Sequence, residues 1–354
     1  MKRLAGLDGL RGLLAIGVAL SHSYSHFTGW HTGYDIFHNP DYAVDIFFIL
    51  SGIVLYHSYN EKLSNRTMTS FDFIVTRFFR LYPLHLLAIV CIPLALYFSS
   101  GTFFPSWVGN ITPFNVIGDL TLTNSLGIGF LPKTNIPSWS ISVEMFAGTL
   151  VLLLCCTKKS VPWVILLVGC AMAYYIGIDV KGAAQAKFPF LSDGVIRCVY
   201  CMSAGVCAYQ ISMKYKNHIQ NHKTIAFGFV SLSFTSMMIV LFGLNIDLSI
   251  YLPLTLIIAF AISMIPLLDF DLTRFLESKT LVYLGKISFS VYIMHTPIVY
   301  LLLKFKDDNL YNNVIFATLA VSLTIIISKY TLALIELPAY RFGKDLVKNT
   351  KHQQ

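Results

Sequence analysis

Ten stretches of this chain, at residues 10–28, 42–58, 81–99, 139–156, 161–178, 194–212, 224–243, 249–268, 281–303 and 313–336, are apolar over nearly their whole length. Each is about 20 residues long, the length an α-helix needs to cross a hydrocarbon layer roughly 30 Å thick. The pattern predicts an all-α, polytopic integral membrane protein of about ten transmembrane helices. Charged residues make up only 12% of the chain against 55% hydrophobic. A soluble domain carries about a quarter charged residues, and the remainder here is too small to coat a water-exposed surface. A soluble enzyme, a disordered chain and a fibrous protein are thereby excluded.

The net charge of +8 is topological. With the N-terminus cytoplasmic, most of the 26 Lys and Arg fall at inside ends and loops; Lys133, Lys181, Lys187, Arg197, Lys304 and Lys306 are outside, and Lys329 lies within the last stretch. That asymmetry follows the positive-inside rule, so both termini are expected in the cytoplasm and nucleic acid is not expected as a partner. Residues 116–131 hold too many Gly, Thr and Asn for a lipid-facing helix and are expected to be re-entrant or external; a crossing there would break the parity. The first stretch is too long for a signal-peptide core and no small-x-small site follows it, so it is read as a retained helix. One membrane domain is expected over 1–340, with a short basic cytoplasmic tail over 341–354. The 7 Cys lie in or beside apolar runs, without metal-finger spacing, and no disulfide framework is expected.

Ionisable groups inside spans are expensive, which makes each a candidate site residue. Arg11 and His22 are separated by about 16.5 Å along a helix axis and by about 20° of rotation, so they share a face and suit the two ends of a long ligand. The plain alternative is a snorkelling arginine and a hydrogen-bonded core histidine. His26 follows His22 by one turn, a spacing able to bind zinc, with His31 or Asp35 as a further ligand; no metal is expected, because no metalloprotease-type Glu accompanies the pair. Arg77 and Arg80, three apart, present two guanidinium forks suited to phosphate oxygens or to lipid headgroups. Asp45 is either interfacial or faces a cavity beside His22. Glu144 falls early in its helix, where the dipole favours an anion. His295 and Glu336 mark the last two stretches, with structural pairing and a site role both open.

In order along the chain, five strings resemble the membrane acyltransferase type 3 family. They are Leu7-Asp8-Gly9-Leu10-Arg11-Gly12 with His22 ten residues beyond Arg11, Val44-Asp45 through Ser51-Gly52, Arg77-x-x-Arg80 before Tyr82-Pro83, Trp139-Ser140-Ile141-Ser142-Val143-Glu144, and Leu284-Gly285-Lys286 through Tyr292 with His295-Thr296-Pro297. Lys286 stands where many members have Arg or Asn, and Met145 where a second acidic residue is common. The resemblance implies ten helices and transfer of an acyl group, commonly acetyl, from cytoplasmic acyl-CoA to a hydroxyl of a cell-envelope glycan or glycolipid. It also implies a bacterial inner-membrane location. Some members carry a fused extracytoplasmic hydrolase-like domain; none is read here, so transfer is expected to finish on this chain alone or with a partner.

Carried over to this sequence, Arg11, Arg77 and Arg80 would bind CoA, and His22 would act as general base or be acylated first. Asp45 would orient the imidazole. Glu144, Ser142 and His295 would serve the acceptor or the oxyanion region. The rival reading is a proton-coupled transporter of a small polar solute, with His22 and Asp45 as relay.

Overall fold

The computed structural model of the protein describes residues 4–29, 39–180, 185–243 and 246–352, the last four of these by backbone alone. The elements are α1 (Ala5–Thr28), α2 (Pro40–Ser64), α3 (Ser70–Ser100), α4 (Pro113–Thr121), α5 (Ser138–Cys155), α6 (Val161–Tyr175), α7 (Asp193–Lys214), α8 (Lys223–Phe242), α9 (Leu248–Met264), α10 (Lys279–Leu302) and α11 (Leu310–Lys348). A helix satisfies its backbone polar groups internally, as a lipid environment demands. All ten apolar stretches lie on helices. Eight of these helices are long and apolar enough to cross a membrane by length and composition. The other two are α1, which carries Asp8, Arg11, His22 and His26, and α6, which has 15 residues. Past Arg341 the chain continues as the same helix. A two-stranded hairpin of Ala186–Phe188 and Leu191–Ser192 precedes α7.

Local signals explain where the long helices start and bend. A reciprocal cap opens α3: Asp72 N–H donates to Thr69 Oγ1 at 3.1 Å and Thr69 N–H donates to Asp72 Oδ2 at 3.0 Å, satisfying two otherwise orphaned donors. Within α5 and α11 a single π turn interrupts the α pattern, at Glu144–Gly148 and at Leu332–Glu336. Both carry a glutamate.

α1 and α10 meet backbone to backbone. A Cβ on Gly12 would lie 2.6 Å from the Gly285 nitrogen, and one on Gly285 would lie 2.0 Å from the Asp8 carbonyl oxygen. Only glycine fits at such a crossing, and close backbone approach is what lets helices associate where lipid is as apolar as leucine. His22 meets His295 across a sequence separation of 273, the same offset that joins Gly12 to Gly285. Equal offsets mean that α1 and α10 run parallel. Between them lie α2, α3 and α5 to α9, an odd number of crossings, so parallel packing requires that residues 116–131 do not cross. They form the last six residues of the nine-residue α4 and an irregular connection, and α4 is only about 13 Å long. Asp8 of α1 and Tyr340 of α11 line one cavity, which puts the start of the first span and the end of the last at one face.

Outward from this core, Leu150, Val164, Leu167, Ile239 and Ile326 are exposed on the helix surfaces. In a water-soluble protein an apolar patch of that extent marks an interaction surface; here it is the lipid-facing belt. α7 and α10 are the most enclosed of the eight.

Gly285→Val is expected to destabilise the fold by about 3 kcal/mol or more, because neither backbone at the crossing can yield to the added methyls. Gly228, whose Cβ position is open, is the control: Gly228→Ala leaves thermal unfolding in detergent unchanged while Gly285→Val lowers the midpoint sharply. Equal midpoints would remove the crossing as a constraint on the fold.

Candidate functional site

Two cavities flank the α1–α10 contact. The outer one, about 690 Å³, is walled by His22, His26, His295, Trp107, Tyr300 and Lys306, among others. His22 Nδ1 and His295 Nε2 are 2.9 Å apart. His295 Nδ1 faces the Val291 carbonyl at 3.3 Å, and Thr296 Oγ1 lies 3.5 Å from Nε2. His26 stands edge-on to Tyr300, with ring centroids at 5.4 Å, and Trp107 is edge-on to Tyr300 at 5.3 Å. The other zinc-ligand candidates, His31 and Asp35, lie outside the described residues.

At the cytoplasmic end a cavity of about 420 Å³ is lined by Asp8, Arg11, Arg80, Lys286, Glu336 and Tyr340. It continues into a narrower space of about 110 Å³ reached by Arg11, Arg77, Arg80, Ser140, Glu144 and Tyr292. Among the described residues, Arg11, Arg80 and Lys286 take part in no ion pair. Three cations around a hollow, none in an ion pair among the described residues and with Asp8 and Glu336 also in the lining, suit an anionic ligand with several oxygens.

Arg77 behaves differently from Arg80. It is buried, its Nη2 reaches Glu144 Oε1 at 3.0 Å, and its Nε donates to Thr149 Oγ1 at 3.1 Å. Three residues along a helix leave the two only about 60° apart, yet Arg77 is buried against α5 while Arg80 is exposed at the mouth. The sequence reading that both forks grip phosphate therefore separates: Arg77 is committed to Glu144. Ser51 Oγ also donates to Glu144 Oε1, at 2.5 Å. The π turn beginning at Glu144 moves the backbone acceptor pattern by one residue, and Arg77 Nη2 reaches the Glu144 carbonyl too, at 3.5 Å. Glu144 lies past the first turn of α5, so this direct pair, not the helix dipole, holds it. Glu336, on the other π turn, accepts from Ser290 Oγ.

Asp45 does not reach the histidine pair in this geometry. Its Oδ1 accepts from Arg197 Nε at 2.8 Å, both side chains being buried. Arg197 also donates to the Asp41 carbonyl at 2.8 Å and the Val180 carbonyl at 2.6 Å, and lies over the Trp139 ring. A carboxylate held this way anchors α2 to α7 and is no longer available to orient an imidazole. Ser142 is fully buried, its Oγ has no hydrogen-bond partner among the described residues, and it lines neither cavity. Two residues on a helix is about 200°, so the face that carries Ser140 and Glu144 into the inner cavity turns Ser142 away. The residue in that position is Ser140, whose Oγ meets the Tyr292 hydroxyl at 2.9 Å.

Sequence reasoning gave no role to Arg197, Ser140 or Tyr292. Arg197 was legible by the same rule that found the others, since it stands inside an apolar run; it was read as an outer-loop charge. Tyr292 carried no charge to mark it. Its hydroxyl also donates to the Pro137 carbonyl at 3.1 Å. Pro137 borders the outer cavity and Tyr292 the inner one, so this ring stands between them.

A family described as an acyltransferase domain, acyltransferase type 3, matches residues 4–332. The chain belongs to this acyltransferase family. Over 97 residues, 27% of this chain and 47% of the relative, it is 41% identical to Protein 2 in picA locus of Rhizobium radiobacter. Over 153 residues, 40% of this chain and 36% of the relative, it is 33% identical to Acyltransferase MdmB of Streptomyces mycarofaciens. It thus spans less than half the length of either relative. No solved structure matches.

The Asp45–Arg197 pair is expected to act on stability. Arg197→Leu leaves a buried carboxylate alone and costs about 3–5 kcal/mol, most of which Asp45→Leu in the same chain restores. Thermal unfolding of the single and double variants in detergent measures this; a double variant no more stable than the single one would refute the pairing.

Proposed function

We propose that this protein is a membrane O-acyltransferase that moves an acyl group, acetyl in the simplest case, from cytoplasmic acyl-CoA to a hydroxyl of a cell-envelope polysaccharide or glycolipid, in a bacterial inner membrane. The observation that carries the reading is that α1 links two unlike cavities. Its cytoplasmic end puts Arg11 into a cationic hollow with Arg80 and Lys286, and its outer part puts His22 into a larger one.

The chemistry follows the geometry. Arg11, Arg80 and Lys286 would hold the donor's phosphates through charge-assisted hydrogen bonds. The donor's flexible arm would lie along α1 for about 16.5 Å and bring its thioester carbonyl near His22. His22 would take the proton of the acceptor hydroxyl as the oxygen attacks that carbonyl, then return it to the departing sulfur. A route in which His22 is acylated first uses the same two sites. Trp107 and Tyr300 offer flat apolar surface for a sugar ring, since an aromatic face and the C–H side of a ring bury well against each other. Arg80 is assigned to the donor in preference to Arg77, whose guanidinium is held by Glu144 and Thr149.

In membranes supplied with acyl-labelled acetyl-CoA, the wild type is expected to place label in an alkali-labile glycan fraction and His22→Ala is expected to place none, while remaining folded and able to bind donor. Arg80→Ala is expected to raise the donor KM by about 10-fold or more, the weight of one charge-assisted hydrogen bond. Transfer is expected to continue after the proton gradient is collapsed. Wild-type-like transfer by His22→Ala would overturn the mechanism, and strict dependence on the gradient would favour solute transport.

A further inference from the structure

A general base must present a lone pair, and a neutral imidazole has one on only one of its two nitrogens. Which nitrogen of His22 carries it is decided by its neighbour. His295 Nδ1 faces the Val291 carbonyl at 3.3 Å, an oxygen that can only accept. In the neutral ring the His295 proton therefore sits on Nδ1, and His295 Nε2 is an acceptor. The Thr296 hydroxyl, 3.5 Å from Nε2, is compatible with that state because a hydroxyl can donate. His22 Nδ1, 2.9 Å from His295 Nε2, must then be the donor, so the lone pair of His22 resides on Nε2, the opposite edge of the ring. The carbonyl belongs to the same helix as His295, one turn earlier, and is as fixed as the helix itself. The Gly12–Gly285 contact ten residues before fixes the register that brings the two rings together.

We infer that His295 is a positioning residue that holds His22 in its Nδ1-protonated form and so makes Nε2 the base of the transfer reaction. This rests on the acyl-transfer reading for its consequence, though the tautomer itself can be observed without any activity. In the reaction the acceptor oxygen bonds to the acyl carbon and its proton moves to His22 Nε2. His22 is then doubly protonated, with Nδ1–H still donated to His295 Nε2. The carbon–sulfur bond breaks, and the Nε2 proton passes to the sulfur, leaving free thiol and a neutral His22. His295 gives up no proton at any point. It also lines the outer cavity, but its part here is exerted through His22.

Three chains, the wild type, His295→Gln and His295→Leu, test this in detergent or nanodiscs, with His22→Ala to identify the His22 signals. Nitrogen-15 NMR of labelled histidine is expected to show His22 protonated at Nδ1 in the wild type and in His295→Gln, whose amide oxygen can replace the acceptor. In His295→Leu it is expected to show a mixture of tautomers. A wild-type His22 protonated at Nε2, or a tautomer unchanged in His295→Leu, overturns the inference. With acetyl-CoA, kcat of His295→Leu is expected to fall about 100-fold or more, within the range that acid–base catalysis supplies, with the donor KM nearly unchanged and most of kcat retained by His295→Gln. Equal loss in folded Gln and Leu variants overturns the positioning role. Should the wild type show the Nδ1 tautomer yet transfer nothing, the acyl-transfer reading fails while the tautomer assignment stands.

Discussion

The contact on which the rest of this molecule depends is the meeting of two backbones at Gly12 and Gly285. Between helices in lipid there is no hydrophobic gain from leaving water, so close packing and polar contacts must hold them together. Removing both side chains at one crossing brings α1 and α10 near enough for that. It also fixes their register, because a shift by one residue would drive a Cβ into a carbonyl. From that register follow the histidine pair at one end and the gathering of Arg11 and Lys286 at the other. A motif that reads in sequence as a run of Leu, Gly and Arg is thus a packing device first, and the site residues it carries are positioned by it.

Two kinds of charged group stand in contrast. Arg77–Glu144 and Arg197–Asp45 are ion pairs that join α3 to α5 and α7 to α2, the second fully buried and the first at the edge of the inner cavity. Taking such charges out of water is costly, and the pair is tolerable because each partner satisfies the other and Ser51, Thr149 and two backbone carbonyls add hydrogen bonds. Arg11, Arg80 and Lys286 form no such pair among the described residues and border the cytoplasmic cavity. The contrast separates structure from ligand binding without reference to any relative: an ion pair has nothing left to offer an anion, whereas an open cation facing solvent does.

Much of the architecture was legible because a bilayer imposes length and a sequence displays it. The positions of all ten apolar helices, the shared side of the two ends and the non-crossing nature of 116–131 follow from span length, basic-residue asymmetry and composition. The placement of Arg11 and His22 on one face of α1 was also available, from helical period alone. What sequence could not supply was the helix opposite. Asp45 has the depth and chemistry to orient an imidazole, but rotation of α2 aims it at Arg197. Ser142 and Ser140 are the same residue type two positions apart, and only the direction of the neighbouring helix says which one meets Tyr292. Arg77 and Arg80 look like one motif and serve two ends. Period fixes angle within a helix, and tertiary packing decides what lies at that angle.

The separation of the two cavities by Tyr292 has a consequence for any group that must pass between them. The ring borders the inner space, its hydroxyl is bonded to Ser140 and to the Pro137 carbonyl, and Pro137 borders the outer space. Those two bonds close the shortest line from the cationic mouth to the histidines. Under the acyl-transfer reading a barrier on that line would also keep water from the thioester, which is otherwise lost to hydrolysis. Under the acyl-transfer reading, a donor arm reaching His22 must displace the tyrosine hydroxyl from partners that are both on α5 or just before it. The segment that carries Glu144 and its π turn therefore forms one side of the barrier as well as one wall of the inner cavity.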